Sequence, residues 1–354
     1  MVSANRQIDE LQSLRGLASL VVVVSHCLTY FAAPRWFDHA QELNNAVGAV
    51  VIFYVLSGFV LARSIGSKPL TGRAFKLFYA KRLFRIYPAL WVSSILMLLY
   101  LATLHGLAPA GDFSAATEHH LDPDRRSLLH VMSAFAGTTF LLPQAWSVAV
   151  ELVASVLLPI FVFLYVRHPR AFWIVAVAIT LAAVLAPKTP YYVVRYLPCF
   201  IVGLLIAFRP FSPSRPAVLL SWVGLFTTQL LNPGNVHHQI AVAAQTLFAV
   251  VIICSIVEGR GPALLKRPSL IWLGDISYSL YLIHWVVLCA SAALLNATGL
   301  FALGWPWSMM LLTVVATLCS IAAAAVSYRY VELPGIRFGL RAIEHFQPRR
   351  QAAT

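Results

Sequence analysis

Long apolar segments follow one another along the whole chain, with only short polar connections between them. A membrane core about 30 Å thick needs about 20 consecutive apolar residues in a helix, and most of these segments approach that length. The pattern therefore predicts a polytopic membrane protein built from helices. The eleven segments are Leu14 to Ala33, Ala46 to Ile65, Ile86 to Leu104, Leu128 to Leu142, Trp146 to Val166, Ala171 to Ala186, Tyr191 to Phe208, Ala217 to Leu231, Gln239 to Val257, Trp272 to Leu295 and Trp307 to Ser327.

Positive charges between the segments predict their orientation. The connection after the second segment carries six basic residues and no acidic one, which places it in the cytoplasm. The later basic connections return to the cytoplasm only if the short segment Leu128 to Leu142, which Pro143 ends, does not cross. We therefore predict about ten membrane-spanning helices, with Leu128 to Leu142 as a re-entrant or interfacial segment on the outer side. Both termini are then cytoplasmic.

Composition supports this fold class and narrows the partners. The chain is 60% hydrophobic and 11% charged, and no stretch outside the apolar segments is long enough to bury a core of its own. We predict an all-α, polytopic membrane bundle in residues 1–340 and a short basic cytoplasmic tail at 341–354. The net charge of +13 lies in short loops that face membrane lipids, so no nucleic-acid partner is predicted. The five cysteines lie inside apolar segments without CxxC spacing, so neither a disulfide nor a metal site is expected.

The first apolar segment carries Arg15 and His26, two residues that a lipid-facing helix would lack. They are eleven residues apart, so both side chains lie on one stripe of a helix, separated by about 16 Å along its axis. Ionisable groups in a membrane segment usually face a bundle interior or a water-filled path, which indicates a site. The alternatives are an Arg15 that snorkels to the membrane surface and a His26 that is satisfied in the core.

Two arginines lie at the start of the third segment. Arg82 and Arg85 are neighbours on one helix face, and two guanidinium groups side by side suit a phosphate-rich ligand. Contacts with lipid headgroups are the alternative. Ser57-Gly58-Phe59 lies near the end of the second segment, where the glycine lets helices approach closely, so packing explains it as well as function does.

The fifth segment opens with Ser147 and Glu151 on one helix face. We expect Glu151 to lie about one turn inside the outer boundary, where a carboxylate needs a partner. We favour His26 as that partner, because a carboxylate would orient its imidazole as a general base.

The segment Trp272 to Leu295 carries a polar stripe that ends at His284, a residue that suits the core and a site equally well. Three more charged residues lie in or beside apolar segments, and ion pairs among them would offset the cost of burying them. The stripe is Ser277, Tyr281 and His284, and the charged residues are Arg195, Asp275 and Glu332.

Six short motifs occur in the order and spacing of the acyltransferase 3 family, so the chain resembles that family. Each motif is weak alone, but six in register across nearly the whole chain are specific. They are Arg15-Gly16-Leu17-Ala18 followed by His26, Ser57-Gly58-Phe59, Arg82-x-x-Arg85 with Tyr87-Pro88, Trp146-Ser147-x-x-x-Glu151, Ser277-Tyr278-Ser279-Leu280-Tyr281-Leu282-x-His284, and Glu332-x-Pro334. After Glu151 the family often has a longer aromatic-rich continuation, which this chain replaces with Leu152-Val153-Ala154-Ser155.

The resemblance implies a bacterial inner-membrane enzyme that moves an acyl group, commonly acetyl, from cytoplasmic acyl-CoA to a carbohydrate or glycolipid hydroxyl. It implies that His26 is catalytic, that Arg15 is its essential partner, and that the arginine pair binds the donor. We expect the stand-alone form, without the extracytoplasmic hydrolase-like domain fused to some members. The expected site is His26, Glu151 and Arg15 for catalysis, Arg82, Arg85, Ser57 and Tyr281 for the donor, and Trp146, Ser147, His284 and Arg195 for the acceptor.

The expected reaction leaves two routes open. His26 takes the proton of the acceptor hydroxyl during direct transfer, or it carries the acyl group as a transient acyl-imidazole. A secondary transporter or flippase for a sugar-containing substrate is the rival function, since intramembrane His, Glu and Arg also form proton relays and substrate paths. A third possibility is a non-catalytic membrane assembly partner. The sequence does not identify the acceptor, the acyl chain or the oligomeric state.

Overall fold

The computed structural model describes most of the apolar part of the chain. All regular structure in these residues is helical. The described residues are 8–30, 46–67, 71–108, 141–185, 192–230 and 238–345, with Thr117, Leu121 and Met132. The predicted re-entrant segment Leu128 to Leu142 and the loop before it lie almost wholly outside them.

Twelve α-helices fall within the described residues, and ten of them have 16 residues or more. Seven stretches of helix are long and apolar enough to cross a membrane by themselves. The helices are α1 (Asp9–Leu28), α2 (Val47–Gly66), α3 (Gly72–Thr103), α4 (Ala145–Arg167), α5 (Pro169–Leu185), α6 (Tyr192–Phe208), α7 (Arg215–Leu230), α8 (His238–Val257), α9 (Pro268–Asp275), α10 (Ser277–Ala297), α11 (Trp307–Ser327) and α12 (Leu333–His345). The prediction of an all-α, polytopic membrane bundle is confirmed, and each of the ten long helices corresponds to one predicted span.

Three boundaries differ most from the predicted ones. Helix α3 begins at Gly72, 14 residues before the predicted start at Ile86. Helix α1 begins at Asp9, five residues before the predicted start, and ends at Leu28. The segment predicted from Trp272 to Leu295 is divided between α9 and α10. Just before the break, Gly274 packs closely on α1: a Cβ atom there would lie 2.1 Å from the carbonyl oxygen of Gln12. Helix α9 is thus held directly against the backbone of α1, and the chain turns at Ile276 before α10 begins.

Helix α10 runs through the centre of the bundle, with its residues from Ser277 to Val286 buried. It packs against α1, α3 and α11. Helix α2 packs against α4, α6 and α8, and α1 contacts both α2 and α10. Helix α1, which carries Arg15 and His26, therefore lies between the two groups of helices.

Small residues set the closest of these contacts. A Cβ atom at Gly58 would lie 2.3 Å from the carbonyl oxygen of Phe200, and one at Gly203 would lie 2.2 Å from that of Val55. The backbones of α2 and α6 thus meet without side chains between them, which is a usual way to pack membrane helices. The packing explanation of Gly58 is confirmed.

The last helix of the described region is joined to α11 by a five-residue π-helical segment, Tyr328–Glu332. Helix α12 then packs against α3, where a Cβ atom at Gly339 would lie 2.5 Å from that of Phe84. The predicted boundary at residue 340 falls inside α12.

Candidate active site

The two histidines of the apolar segments lie together. His26 Nδ1 is 2.7 Å from His284 Nε2, the two ring planes differ by 7°, and the ring centroids are 5.0 Å apart. His26 lies in the last turn of α1, and His284 lies in the second turn of α10 with no exposed surface. We call His26 and His284 the histidine pair. The sequence indicated each residue but not their contact, because they are 258 positions apart.

Aromatic rings surround the histidine pair. Trp285 presents its edge to His26, with the centroids 5.7 Å apart, and Tyr30 packs against Trp285 at 5.8 Å. On the other side, the ring of Tyr281 lies 6.1 Å from that of His284. These rings restrict the positions that the imidazoles can take.

A hydrogen-bonded group joins the histidine pair to the rest of the interior. The hydroxyl groups of Ser147 and Tyr281 are 2.6 Å apart, and Tyr281 also donates to the carbonyl oxygen of Gln144. The Gln144 amide donates to the carbonyl oxygen of Leu282 at 2.8 Å. Because Gln144 is buried and precedes α4 directly, α4 begins inside the bundle at about the depth of the histidine pair. Sequence analysis missed Gln144, whose single signal was a polar residue beside Pro143.

The carboxylate of Glu151 is paired with Arg82. Arg82 Nη2 donates to Glu151 Oε1, and the Ser57 hydroxyl donates to the same oxygen at 3.1 Å. Ser155, one turn further along α4, accepts hydrogen bonds from Arg82 at 3.1 and 3.2 Å. This Ser155 contact was missed, although its i, i+4 spacing from Glu151 would have indicated it.

Two expectations for Glu151 are thereby corrected. The residue does not lie near the boundary opposite to Arg82, because α4 starts in the interior and brings Glu151 down to the arginines. Its hydrogen-bond partners in the structure are Arg82 and Ser57, whereas His26 pairs with His284. A positively charged guanidinium compensates a buried carboxylate better than a neutral imidazole does.

Arg85 forms the second ion pair of this region. Its Nη1 atom lies 3.0 Å from Glu332 Oε1, and the other oxygen of Glu332 accepts from the Ser279 hydroxyl at 2.7 Å. The Glu332 side chain has no exposed surface, whereas that of Arg85 is 31% exposed. We call the Arg82–Glu151 and Arg85–Glu332 pairs together the arginine end of the site.

Arg15 lies beside the arginine end. Its Nη1 atom donates to Gln12 Oε1, and the Gln12 amide donates to Asp275 at the end of α9; both distances are 3.2 Å. Arg15 is therefore connected to α9 through Gln12 and points into the helix bundle. The alternative that it reaches the membrane surface is not what the structure shows.

Two cavities meet at the arginines. The entrance cavity, about 250 Å³, lies between α2, α3 and α12. The inner cavity, about 50 Å³, continues from Arg82 and Arg85 into the bundle. Residues of the entrance cavity include Phe75, Phe78, Lys81, Arg82, Arg85 and Leu340, and residues of the inner cavity include Arg15, Ser57, Ser147, Glu151 and Tyr281. Tyr281 lines the inner cavity and its ring packs against His284, whereas the two histidines are not among the residues that line this cavity.

Trp146 and Arg195 lie to one side of this path. Trp146 packs against Tyr196 with the centroids 5.4 Å apart, and Tyr196 packs against Tyr54 at 5.3 Å. Tyr54 reaches back to the carbonyl oxygen of Ser147 at 3.5 Å. Arg195 precedes Tyr196 in α6 and is 8% exposed. The structure thus gathers nine of the eleven expected site residues around the cavities and the histidine pair, with Trp146 and Arg195 at an adjoining aromatic cluster.

The structure is that of a polytopic membrane protein with a polar site inside its helix bundle. The site contains the two arginine–glutamate ion pairs, the inner cavity and the histidine pair. The chain belongs to the acyltransferase 3 family, whose acyltransferase domain matches residues 8–325. It is therefore a membrane acyltransferase.

Two relatives are similar over different lengths. Nodulation protein 10 of Rhizobium leguminosarum bv. viciae is 26% identical over 360 residues, which cover 92% of each chain. Protein 2 in picA locus of Rhizobium radiobacter is 31% identical over 160 residues, which cover 41% of this chain and 77% of that protein. No solved structure matches the chain.

Proposed function

We propose that this membrane acyltransferase moves an acyl group, in the first instance acetyl, from acyl-CoA to a hydroxyl of a carbohydrate or glycolipid. One observation carries the proposal: the entrance cavity and the inner cavity share Arg82 and Arg85, and Tyr281 of the inner cavity packs against the histidine pair. Such a transfer requires positively charged groups that bind the phosphates of the donor. It also requires space for the flexible arm that carries the thioester, and an imidazole near the end of that arm.

The entrance cavity suits the charged half of the donor. Lys81, Arg82 and Arg85 line it together with the rings of Phe75 and Phe78. A guanidinium has five N–H donors, so each arginine keeps donors for phosphate oxygens beyond those that its glutamate occupies. The phenylalanine rings offer apolar faces to an adenine base.

The inner cavity suits the uncharged arm that carries the thioester. Ser57 and Tyr281 line it and offer hydroxyl groups to the amides of the arm, and Arg15 adds a positive charge. An arm held here brings its thioester towards Tyr281 and the adjacent histidine pair. We therefore keep Ser57 and Tyr281 on the donor side and Arg15 as a residue of the catalytic region.

His26 performs the chemistry in this proposal. As a general base, its Nε2 atom takes the proton of the acceptor hydroxyl while the hydroxyl oxygen bonds to the acyl carbon and the thiolate leaves. As a nucleophile, the same nitrogen bonds to the acyl carbon, the thiolate leaves, and the acceptor hydroxyl then takes the acyl group. The two routes differ in kinetics, since the second is ping-pong.

We place the acceptor at Trp146, Ser147 and Arg195. Trp146 and its neighbour Tyr196 combine ring faces with polar edges, which is a suitable surface for a sugar. We further propose the inner membrane of a bacterium as the location, with both termini cytoplasmic, since the basic connections favour that orientation.

The test uses the purified protein in lipid vesicles with acetyl-CoA labelled in the acetyl group. We expect label to pass to glycan fractions from the producing cell, and mass spectrometry of surface glycans to show one acetyl group lost when the protein is absent. Sugar uptake into the vesicles without acyl-CoA, and no transfer with it, would support a transporter instead and overturn the proposal.

A further inference from the structure

We propose that His284 is a positioning residue for His26: it holds the His26 ring with its proton on Nδ1 and leaves Nε2 as the reactive nitrogen. The inference rests on the proposed function, because it assigns how the catalytic imidazole of that function is prepared. It also replaces the expected role of His284 in binding the acceptor.

The main chain of α10 sets the protonation of His284. His284 Nδ1 lies 3.2 Å from the carbonyl oxygen of Leu280, one turn earlier in the same helix. A carbonyl oxygen only accepts hydrogen bonds, so the proton of the neutral His284 ring belongs on Nδ1. His284 Nε2 is then the acceptor of that ring.

Burial favours the neutral form of His284. The side chain has no exposed surface. In the described part of the chain, its hydrogen-bond partners are the His26 ring and the carbonyl oxygen of Leu280, neither of which is a carboxylate. Burying an imidazolium without an anion beside it is unfavourable.

The contact between the rings then fixes His26. Two unprotonated nitrogens would not approach to the observed 2.7 Å, so Nδ1 of His26 carries the hydrogen that His284 Nε2 accepts. In the neutral form the His26 ring has one N–H, so with Nδ1 protonated the electron pair lies on Nε2. Histidine tautomers are set in this way wherever a second group holds one ring nitrogen.

The ring geometry supports a directed hydrogen bond and not face-to-face stacking. The centroid separation of 5.0 Å equals the N···N distance of 2.7 Å plus one ring radius on each side. The two nitrogens therefore lie on the line between the centroids, with the rings nearly coplanar at 7°. This is the direction in which an imidazole N–H points, and it turns His26 Nε2 away from His284.

The same bond strengthens during the reaction. When His26 Nε2 takes a proton or bonds to an acyl carbon, the ring becomes positively charged and its Nδ1–H becomes a charge-assisted donor to His284. This stronger hydrogen bond would stabilise the product state. In the Ser-His-Asp triad an aspartate has the corresponding task.

Three substitutions of His284 separate this role from a packing role. The His284→Gln variant places an amide oxygen near the Nε2 position, where it can accept from His26. The amide of His284→Asn is too short and lies near the Nδ1 position, and His284→Leu has no acceptor. His168→Leu is the matched control, because His168 is exposed at the end of α4.

We expect His284→Leu and His284→Asn to lower kcat at least about 100-fold with less than about a threefold change in KM for the donor. We expect His284→Gln to stay within about tenfold of the wild-type kcat, and His168→Leu to match the wild type. A folded His284→Leu variant with wild-type kcat would overturn the inference, as would a folded His284→Gln variant as slow as His284→Leu.

A second measurement needs no activity and no variant of His284. Ring ¹⁵N NMR of the histidine-labelled protein, with His26→Gln to assign the signals, reports which nitrogen of His26 carries the proton. We expect Nδ1–H, and an Nε2–H tautomer would overturn the inference. A wild type that shows the expected tautomer but transfers no acyl group would instead refute the proposed function.

Discussion

The arginine end and the histidine pair are two polar clusters of one bundle, and they offset the cost of burial in different ways. At the arginine end, two guanidinium groups are matched by two carboxylates. In the histidine pair, a hydrogen bond joins two rings, and a helix carbonyl oxygen accepts from one of them. The first arrangement matches each positive charge with a negative one, and the second matches ring nitrogens with each other and with a main-chain oxygen.

The clusters also differ in exposure. The side chains of Arg82 and Arg85 are 16% and 31% exposed, so they reach the entrance cavity, whereas His284 is fully buried. Charge at an accessible position suits recognition of a phosphate, and a shielded imidazole suits bond formation without competing water. In the proposed function, donor recognition and bond formation are therefore assigned to two separate clusters, and four substitutions test that separation.

The largest effect is expected from His26→Ala, which removes the chemistry and leaves the arginine end intact. Transfer should fall by about 10³-fold or more, while the Kd of acetyl-CoA, measured by calorimetry on the detergent-solubilised protein, should stay within about threefold. Thermal unfolding controls for folding. A variant that transfers at the wild-type rate would refute the assignment of His26, and a large loss of donor binding would refute the separation of the clusters.

The next effect comes from Gly58→Ala, which acts on the scaffold that both clusters share. The added Cβ atom would lie 2.3 Å from the carbonyl oxygen of Phe200, so α2 and α6 must move apart. We expect a loss of about 3 kcal/mol in the free energy of unfolding, seen as a lower Tm. Gly106→Ala is the control, since no atom lies within 4 Å of its added Cβ. Equal Tm values for the two variants would contradict the close contact.

A smaller effect is expected at the arginine end from Arg82→Lys and Arg85→Lys. Lysine keeps the ion pair with glutamate but loses the planar fork that binds phosphate. Each change should raise KM for acetyl-CoA about tenfold and leave kcat nearly unchanged. With a donor that lacks the 3′-phosphate, the rise in KM should be smaller for at least one of the two variants. A fall in kcat with constant KM would place the arginines in the chemistry and not in recognition.

The smallest effect is expected from Ser147→Ala, which alters the connection between the clusters. Tyr281 loses one hydrogen-bond partner but keeps the carbonyl oxygen of Gln144 at 3.2 Å. A change of about 1 kcal/mol or less corresponds to about a fivefold slower transfer. Thr227→Ala is the control, because the hydroxyl of this half-exposed residue donates to the carbonyl oxygen of Val223 in its own helix. A loss as large as that of His26→Ala would make Ser147 part of the reacting centre.

The fold was largely predictable because each long helix must supply its own apolar surface and backbone hydrogen bonds in a membrane. The division between α9 and α10 was not predicted, although Gly274, Asp275 and Ser277 flank the turn at Ile276. The direct contact of Gly274 with the backbone of α1 depends on tertiary packing, which the sequence pattern does not show. Helical periodicity likewise put Arg15 and His26 on one stripe, and both face the interior.

The sequence indicated which residues form the site better than it indicated which of them contact each other. Motif spacing indicated Arg82, Glu151, His26 and His284, but their partners depend on how deep each helix begins. Hydropathy does not show that α4 starts inside the bundle at the buried Gln144. That starting depth brings Glu151 to Arg82 and leaves the two histidines to each other.

The π-helical segment Tyr328–Glu332 sets the rotational phase of everything after it. A π turn holds one more residue than an α turn, so each added or removed residue rotates the following helix by about 100°. Deleting one residue there would carry Glu332 off the face that meets Arg85, although every side chain named in the site would still be encoded. The spacing of the chain at this point, as much as the identity of its residues, decides whether the second arginine is neutralised.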